Sequence, residues 1–176
     1  MGRRAAEVSA RSPFRRALVT GGGGFLGRAL ALRLIARGVE VTSLARGDYP
    51  ELSALGVRVV RGDLADRDVV VAAAEGQDVL FHVAAKAGVW GARADYVRAN
   101  VTGTENALGA AIAQGVRVFV HTSSPSVVFD GASHLSAGPD LPYPRRFLAA
   151  YPETKARAEE LAVSYTHLTL PTNREV

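Results

Sequence analysis

The chain has 176 residues, 48% hydrophobic and 22% charged, which is the balance of a globular domain and excludes a disordered polyelectrolyte. Its net charge of +4 comes wholly from residues 1–16, which hold five arginines and one acid, Glu7; the other 160 residues carry 16 basic and 16 acidic side chains. A neutral body has no electrostatic footprint for DNA or RNA, so no nucleic-acid partner is expected.

The basic leader, 1–16, reads as a disordered tail in front of the fold. It has no apolar core of the secretory kind. No apolar run approaches the roughly 18–20 residues of a membrane span. The chain has no cysteine, which removes disulfides, thiolate nucleophiles and cysteine zinc sites. Its four histidines lack ligand spacing, so no metal is expected. A cytoplasmic protein is the expectation.

In chain order, Ala17–Thr20 is a short apolar strand that runs straight into Gly21–Gly24. Leu26, Leu30 and Leu34 then recur at helical spacing, with arginines on other faces and Gly38 as the stop. Val39–Leu44 and Val57–Val60 read as strands, and Asp66–Ala74 as a helix. Val79–Val83 is an apolar strand, and Asp95–Gln114 a long helix interrupted by Gly103 and Gly109. Val116–Thr122 is a strand, residues 130–146 are a glycine- and proline-rich loop, and Tyr151–Ala162 is a helix. This alternation predicts βαβ units and an α/β fold with a parallel sheet.

Five places carry chemistry. Gly21, Gly24 and Gly27 stand in G-x-x-G-x-x-G spacing between a strand and a helix. That context suits a pyrophosphate, because glycines let the backbone approach and the helix start offers N–H groups. The second strand ends in Ser43-Leu44-Ala45-Arg46 with no acid until Asp48. An arginine there suits a ribose 2′-phosphate, which favours NADP over NAD. Asp63, in Arg-Gly-Asp-Leu, can accept from an adenine amino group or serve as a turn residue. Tyr151 and Lys155 fall one helical turn apart on one face. A free phenol ionises near pH 10, and an adjacent ammonium favours its phenolate. Thr122-Ser123-Ser124 ends the fifth strand, where a hydroxyl can donate to a carbonyl oxygen.

Together these motifs resemble the extended short-chain dehydrogenase/reductase family, from about Ala17 to Leu161. The resemblance implies a doubly wound Rossmann-type parallel sheet, incomplete on its C-terminal side. It implies Ser124, Tyr151 and Lys155 as the catalytic set, with Lys155 also holding the nicotinamide ribose. It places Gly21, Gly24, Phe25, Leu26, Gly27, Arg46, Asp63, Leu64, Ala84, Ala85 and Asn100 at the cofactor, with His82 and Ala84 along its groove. Phe81–Gly91 and Ser124–Gly131 look like the 3β-hydroxysteroid dehydrogenase branch, with its sterol-4-carboxylate dehydrogenases and 2-alkyl-3-oxoalkanoate reductases.

The implied reaction interconverts a 3-keto and a 3-hydroxy group on a small β-keto acid or sterol-like molecule. A homodimer is expected of the full-length protein. Lys86 either meets a substrate carboxylate or is a solvated loop lysine. A sugar-nucleotide epimerase and a non-catalytic dinucleotide-binding module are the alternatives. Pro125-Ser126 stands where the sugar dehydratases of the family carry an Asp-Glu pair. Residues 17–162 are expected to form the dinucleotide-binding domain, 163–176 a non-native tail, and the family's C-terminal substrate lobe is expected to be missing.

Overall fold

The computed structural model describes residues 12–132 and 141–169, with side chains to 165. Five parallel strands form one sheet in the order β3-β2-β1-β4-β5. They are β1 (Arg16–Thr20), β2 (Glu40–Ala45), β3 (Arg58–Arg61), β4 (Val79–His82) and β5 (Val118–His121). The order reverses direction at β1, which pairs with β2 on one side and β4 on the other. The crevice outside the carboxyl ends of such neighbours is where an open parallel sheet takes a ligand.

Strand alternation sorts the core into two layers. Leu18, Leu44 and Leu80 face one side, against Val70, Ala73 and Ala74 of α3 (Arg67–Ala74) and Ala107, Ala110 and Ala111 of α5 (Gly103–Ala113). Ala17, Val19, Val41 and Val79 face the other, against Ala31 and Leu34 of α1 (Phe25–Ile35) and Leu52 of α2 (Pro50–Ser53). The neutral alanine-rich faces of α3 and α5 let these helices pack closely on the sheet.

Helix ends follow local chemistry. Gly38 leaves α1 at φ 75°, and the next amide, of Val39, donates back to Leu34. Asp66 caps α3 by accepting from the amides of Asp68 and Val69. The single long helix expected over 95–114 is three pieces: α4 (Arg93–Tyr96), a π-helical segment (Val97–Thr102) and α5. The Thr104 hydroxyl donates to the Asn100 carbonyl at 2.6 Å and competes for an acceptor of the helix ladder. The last helix, α6 (Ala150–Thr169), runs past the expected end at Ala162.

The expected leader boundary also shifts. Arg16 belongs to β1, and Phe14 packs edge-on to Phe81 with centroids 6.5 Å apart. Asp78 receives the amides of Arg15 and Arg16 at 2.8 and 2.9 Å, which holds its carboxyl below the usual range. Residues 1–11, and the end of the chain from 170, lie outside the described residues. Among the described residues no helix is long and apolar enough to cross a membrane.

Candidate active site

The glycine turn after β1 is built so that no side chain fits. Gly21 has φ 71° and donates to the Leu44 carbonyl, and a Cβ on it would meet the Ala84 backbone at 2.9 Å. A Cβ on Gly27 would lie 2.2 Å from the Gly21 carbonyl oxygen. The turn therefore closes tightly under the start of α1, where Gly24 is the N-cap residue.

A groove of about 850 Å³ opens above this turn. Gly21, Gly24, Phe25, Leu26 and Gly27 line its floor, with the Phe25 side chain almost wholly exposed. Arg46, Asp63 and Leu64 line one wall from the ends of β2 and β3. Ala84 and Ala85 line another from the end of β4. The size and the bare backbone floor fit an extended dinucleotide. Among the described residues no cluster of acidic and histidine side chains could hold a metal.

Two groove residues are engaged with the protein. Asp63 accepts from the Ala65 amide at 2.9 Å and pairs with Arg98 at 3.0 Å. It is thus a turn residue that still presents a carboxylate to the groove. Arg46 is exposed, and Asp48 beside it pairs instead with Arg61 at 3.4 Å. Tyr49, which the motifs did not flag, lays its ring over Gly23 at the groove wall.

Asn100, expected at the cofactor, is not among the groove-lining residues. It is buried in the π-helical segment and its amide is used up. Its Oδ1 accepts from the Lys86 amide at 2.7 Å, and its Nδ2 donates to the Lys86 carbonyl and the Thr154 hydroxyl, each at 3.0 Å. His82 is likewise buried, not groove-lining. Thr20 Oγ1 receives the amides of Val83 and Ala84, so its own hydrogen goes to His82 Nδ1 at 3.0 Å. His82 then donates from Nε2 to Thr104 at 2.9 Å, and Thr104 donates to Asn100. This directed chain ties the end of β1 to the π-helical segment.

The expected catalytic residues come from three abutting pieces: the end of β5, the 3₁₀ turn Pro125–Val128 that follows, and the first turns of α6. Ser124 caps the 3₁₀ turn; its Oγ accepts from the Ser126 amide and lies 2.8 Å from Ser126 Oγ. Tyr151 is half-buried and Lys155 is buried one turn later. The Lys155 ammonium donates to the Thr122 carbonyl at 2.5 Å and lies 3.5 Å from His121 Nε2. Burial pushes Lys155 down to about 8. Arg93 pairs with Glu153 and locks α4 to the first turn of α6.

Lys86 lines the groove, lies 3.7 Å from Asp95 and sits over the Tyr96 ring at 5.1 Å. Thr20, Thr104, Thr154 and His121 were missed by motif reading. The first three are small hydroxyls inside or beside motifs, and only their spatial convergence reveals them.

A model of the 3-beta hydroxysteroid dehydrogenase/isomerase family matches residues 18–170. The chain belongs to this family. The matched stretch runs beyond Leu161, where the resemblance read from motifs stopped. A 2-alkyl-3-oxoalkanoate reductase of Shewanella oneidensis is 49% identical over 145 residues, which is 82% of this chain and 38% of that protein. One of Stenotrophomonas maltophilia is 46% identical over 88% of this chain and 48% of its own length. The chain thus spans less than half of these curated relatives. Among solved structures, MoeE5 in complex with UDP-glucose and NAD superposes with a TM-score of 0.75 at 34% identity, over 86% of this chain and 49% of that one. The fold of this 3-beta hydroxysteroid dehydrogenase/isomerase family member is the Rossmann type shared with MoeE5.

Proposed function

We propose that the chain is the cofactor-binding and catalytic part of an NAD(P)-dependent oxidoreductase that interconverts a 3-keto and a 3-hydroxy group. The substrate is a β-keto acid of the 2-alkyl-3-oxoalkanoate type or a sterol-like relative. The observation that carries this reading is the Lys155 ammonium on the Thr122 carbonyl, which brings the helix of Tyr151 to the strand end that leads into Ser124, in the same sheet as the glycine-floored groove. Kinship with the Shewanella and Stenotrophomonas reductases supports the substrate class.

The bare floor at Gly21, Gly24 and Gly27 would hold the pyrophosphate, and Asp63 the adenine. Arg46, exposed and without a carboxylate partner among the described residues, favours NADP(H). A bound nicotinamide would supply the hydride chemistry at the substrate carbonyl carbon. Tyr151 gives the hydroxyl oxygen its proton in reduction and takes it in oxidation. Lys155 places a positive charge where the phenol oxygen turns negative. Ser126 Oγ can donate to Ser124 Oγ, which frees the Ser124 hydrogen for the carbonyl oxygen.

The test is ketone-dependent NADPH oxidation by the full-length enzyme, with 2-alkyl-3-oxo acids as substrates. Tyr151→Phe should lower turnover by about 10²–10⁴-fold with cofactor affinity kept. Near-normal turnover in that variant sinks the assignment. Likeness to MoeE5, which holds UDP-glucose and NAD, speaks for one rival, an enzyme of UDP-sugars such as a sugar-nucleotide epimerase. Activity on UDP-sugars and none on keto acids would establish the rival instead.

A further inference from the structure

The chemistry proposed for Ser124, Tyr151 and Lys155 leaves a histidine beside them without a task. His121 closes β5, next to Thr122, whose carbonyl receives the Lys155 ammonium. Its Nε2 lies 3.5 Å from Lys155 Nζ. Its ring stacks on that of His82, with centroids 5.5 Å apart and planes inclined by 26°. Thr20 and Thr104 hold both nitrogens of His82, so the surface on which His121 rests is fixed.

Its neighbour sets the tautomer of His121. An ammonium offers only hydrogens, so Nε2 must accept and Nδ1 must carry the ring proton. Nδ1 is buried and, among the described residues, has no hydrogen-bond partner. An unpaired buried N–H is a standing cost, and a phenylalanine would fill the same place without it. Strand β5 otherwise reads Val118, Phe119, Val120, so an aromatic hydrocarbon would suit the position. The contact that offsets the cost is the one with Lys155.

The charges around Lys155 agree with a neutral acceptor. Burial, then the Lys155 charge, pushes His121 down to about 4. Behind it, His82 is pushed down to about 3. On the helix itself Glu159 raises Lys155, and its carboxylate receives the hydroxyls of Ser123 and Tyr143. Tyr151 stands one turn back.

We infer that His121 is a positioning residue for Lys155. Its Nε2 and the Thr122 carbonyl together fix the ammonium at the end of β5, at a set distance from the Tyr151 phenol. Without His121 the ammonium keeps one fixed acceptor, swings on its four-carbon stem, and loses a group that favours its charged form. The inference rests on the proposed role of Lys155, and the controls below separate the two.

The experiment uses the full-length enzyme and the variants His121→Phe, His121→Gln and Lys155→Ala. Gln carries an oxygen close to the place of Nε2. His121→Phe should lower kcat about tenfold, the worth of one charge-assisted hydrogen bond. The KM for ketone and the cofactor Kd should stay near those of the parent. The alkaline limb of the kcat/KM profile should move to lower pH by about half a unit, because the ammonium has lost an acceptor. His121→Gln should restore most of kcat and return the limb.

Parent-like kcat and limb in His121→Phe overturn the inference. Equal losses in both His121 variants with an unmoved limb also overturn it, since they make His121 a packing residue only. If the phenylalanine variant does not fold, His121→Met serves as the acceptor-free variant. A Lys155→Ala enzyme with parent-like turnover overturns the active-site reading itself. An inactive Lys155→Ala beside an unaltered His121→Phe overturns only the role given to His121.

Discussion

The Asn100 amide donates to the Thr154 hydroxyl at 3.0 Å and so joins the π-helical segment to α6 between Tyr151 and Lys155. The same amide holds both backbone groups of Lys86, so three pieces of chain share one buried side chain. Asn100→Ala leaves the Lys86 amide and carbonyl without their partners and Thr154 Oγ1 without its donor. We expect a loss of about 2–4 kcal/mol in denaturant unfolding. Turnover should fall more than cofactor affinity, because the loop after β4 and α6 lose their common anchor. Unchanged stability in Asn100→Ala would refute the anchoring role.

The glycine floor makes a second prediction with its own control. The Cβ of Gly27→Ala would meet the Gly21 carbonyl oxygen and carbon at 2.2 and 2.8 Å, and backbone atoms cannot turn aside. The variant should lose about 1–3 kcal/mol of stability from overpacking. Dinucleotide Kd, read by nicotinamide fluorescence, should rise at least tenfold as the floor lifts. Gly109 lies within α5 with nothing within 4 Å of its added Cβ. Gly109→Ala should instead gain up to about 1 kcal/mol from helix propensity.

The contrast between Gly27 and Asn100 shows what the sequence discloses. Strand and helix order was legible because the sheet is parallel and buried, so each strand is a short apolar run and each helix has a period. The groove residues were legible because the turn demands glycine at fixed spacing. Asn100 was legible as a motif member but not in its role. Its partners, Lys86 and Thr154, lie 14 and 54 residues away, a relation set by packing alone. The π-helical segment within the 95–114 stretch coincides with the Thr104 hydroxyl reaching back to the Asn100 carbonyl, and helical periodicity carries no trace of it. His121 reads in sequence as the end of an apolar strand, and only its stacking on His82 and its distance to Lys155 single it out.

The proposed preference for NADP(H) rests on Arg46. The nearby carboxylate that could occupy its guanidinium, Asp48, pairs with Arg61, and Arg61 Nε also donates to the Arg46 carbonyl at 3.2 Å. Arg46 is therefore held at the backbone, and among the described residues no carboxylate pairs with its side chain. Arg46→Ala should weaken NADPH binding about tenfold, the worth of one charged contact discounted for solvent exposure. NADH binding should change by less than twofold. Equal weakening of both cofactors would remove Arg46 from the 2′-phosphate.

Acid should destabilise the fold through its two stacked histidines. Burial, then the neighbouring His121 and Lys155, brings His82 down to about 3, and burial with Lys155 brings His121 down to about 4. Unfolded, both rings take up protons near pH 6.5. Between about pH 6.5 and 4 the unfolded chain therefore binds more protons than the folded one, and stability rises with pH. The contribution is whole above pH 6.5 and is lost on acidification through this window. Each ring adds a slope approaching 1.4 kcal/mol per pH unit. Lys155, lowered to about 8 from its ordinary 10.5, acts only in the alkaline range and does not blur the window. Urea midpoints taken from pH 7 to pH 4.5 should fall steeply in the parent. The fall should be shallower by one ring's share in His121→Phe. Parallel profiles for the two proteins would mean that folded His121 takes up its proton as readily as the unfolded ring, against the neutral acceptor that its buried Nδ1 and its contact with Lys155 require.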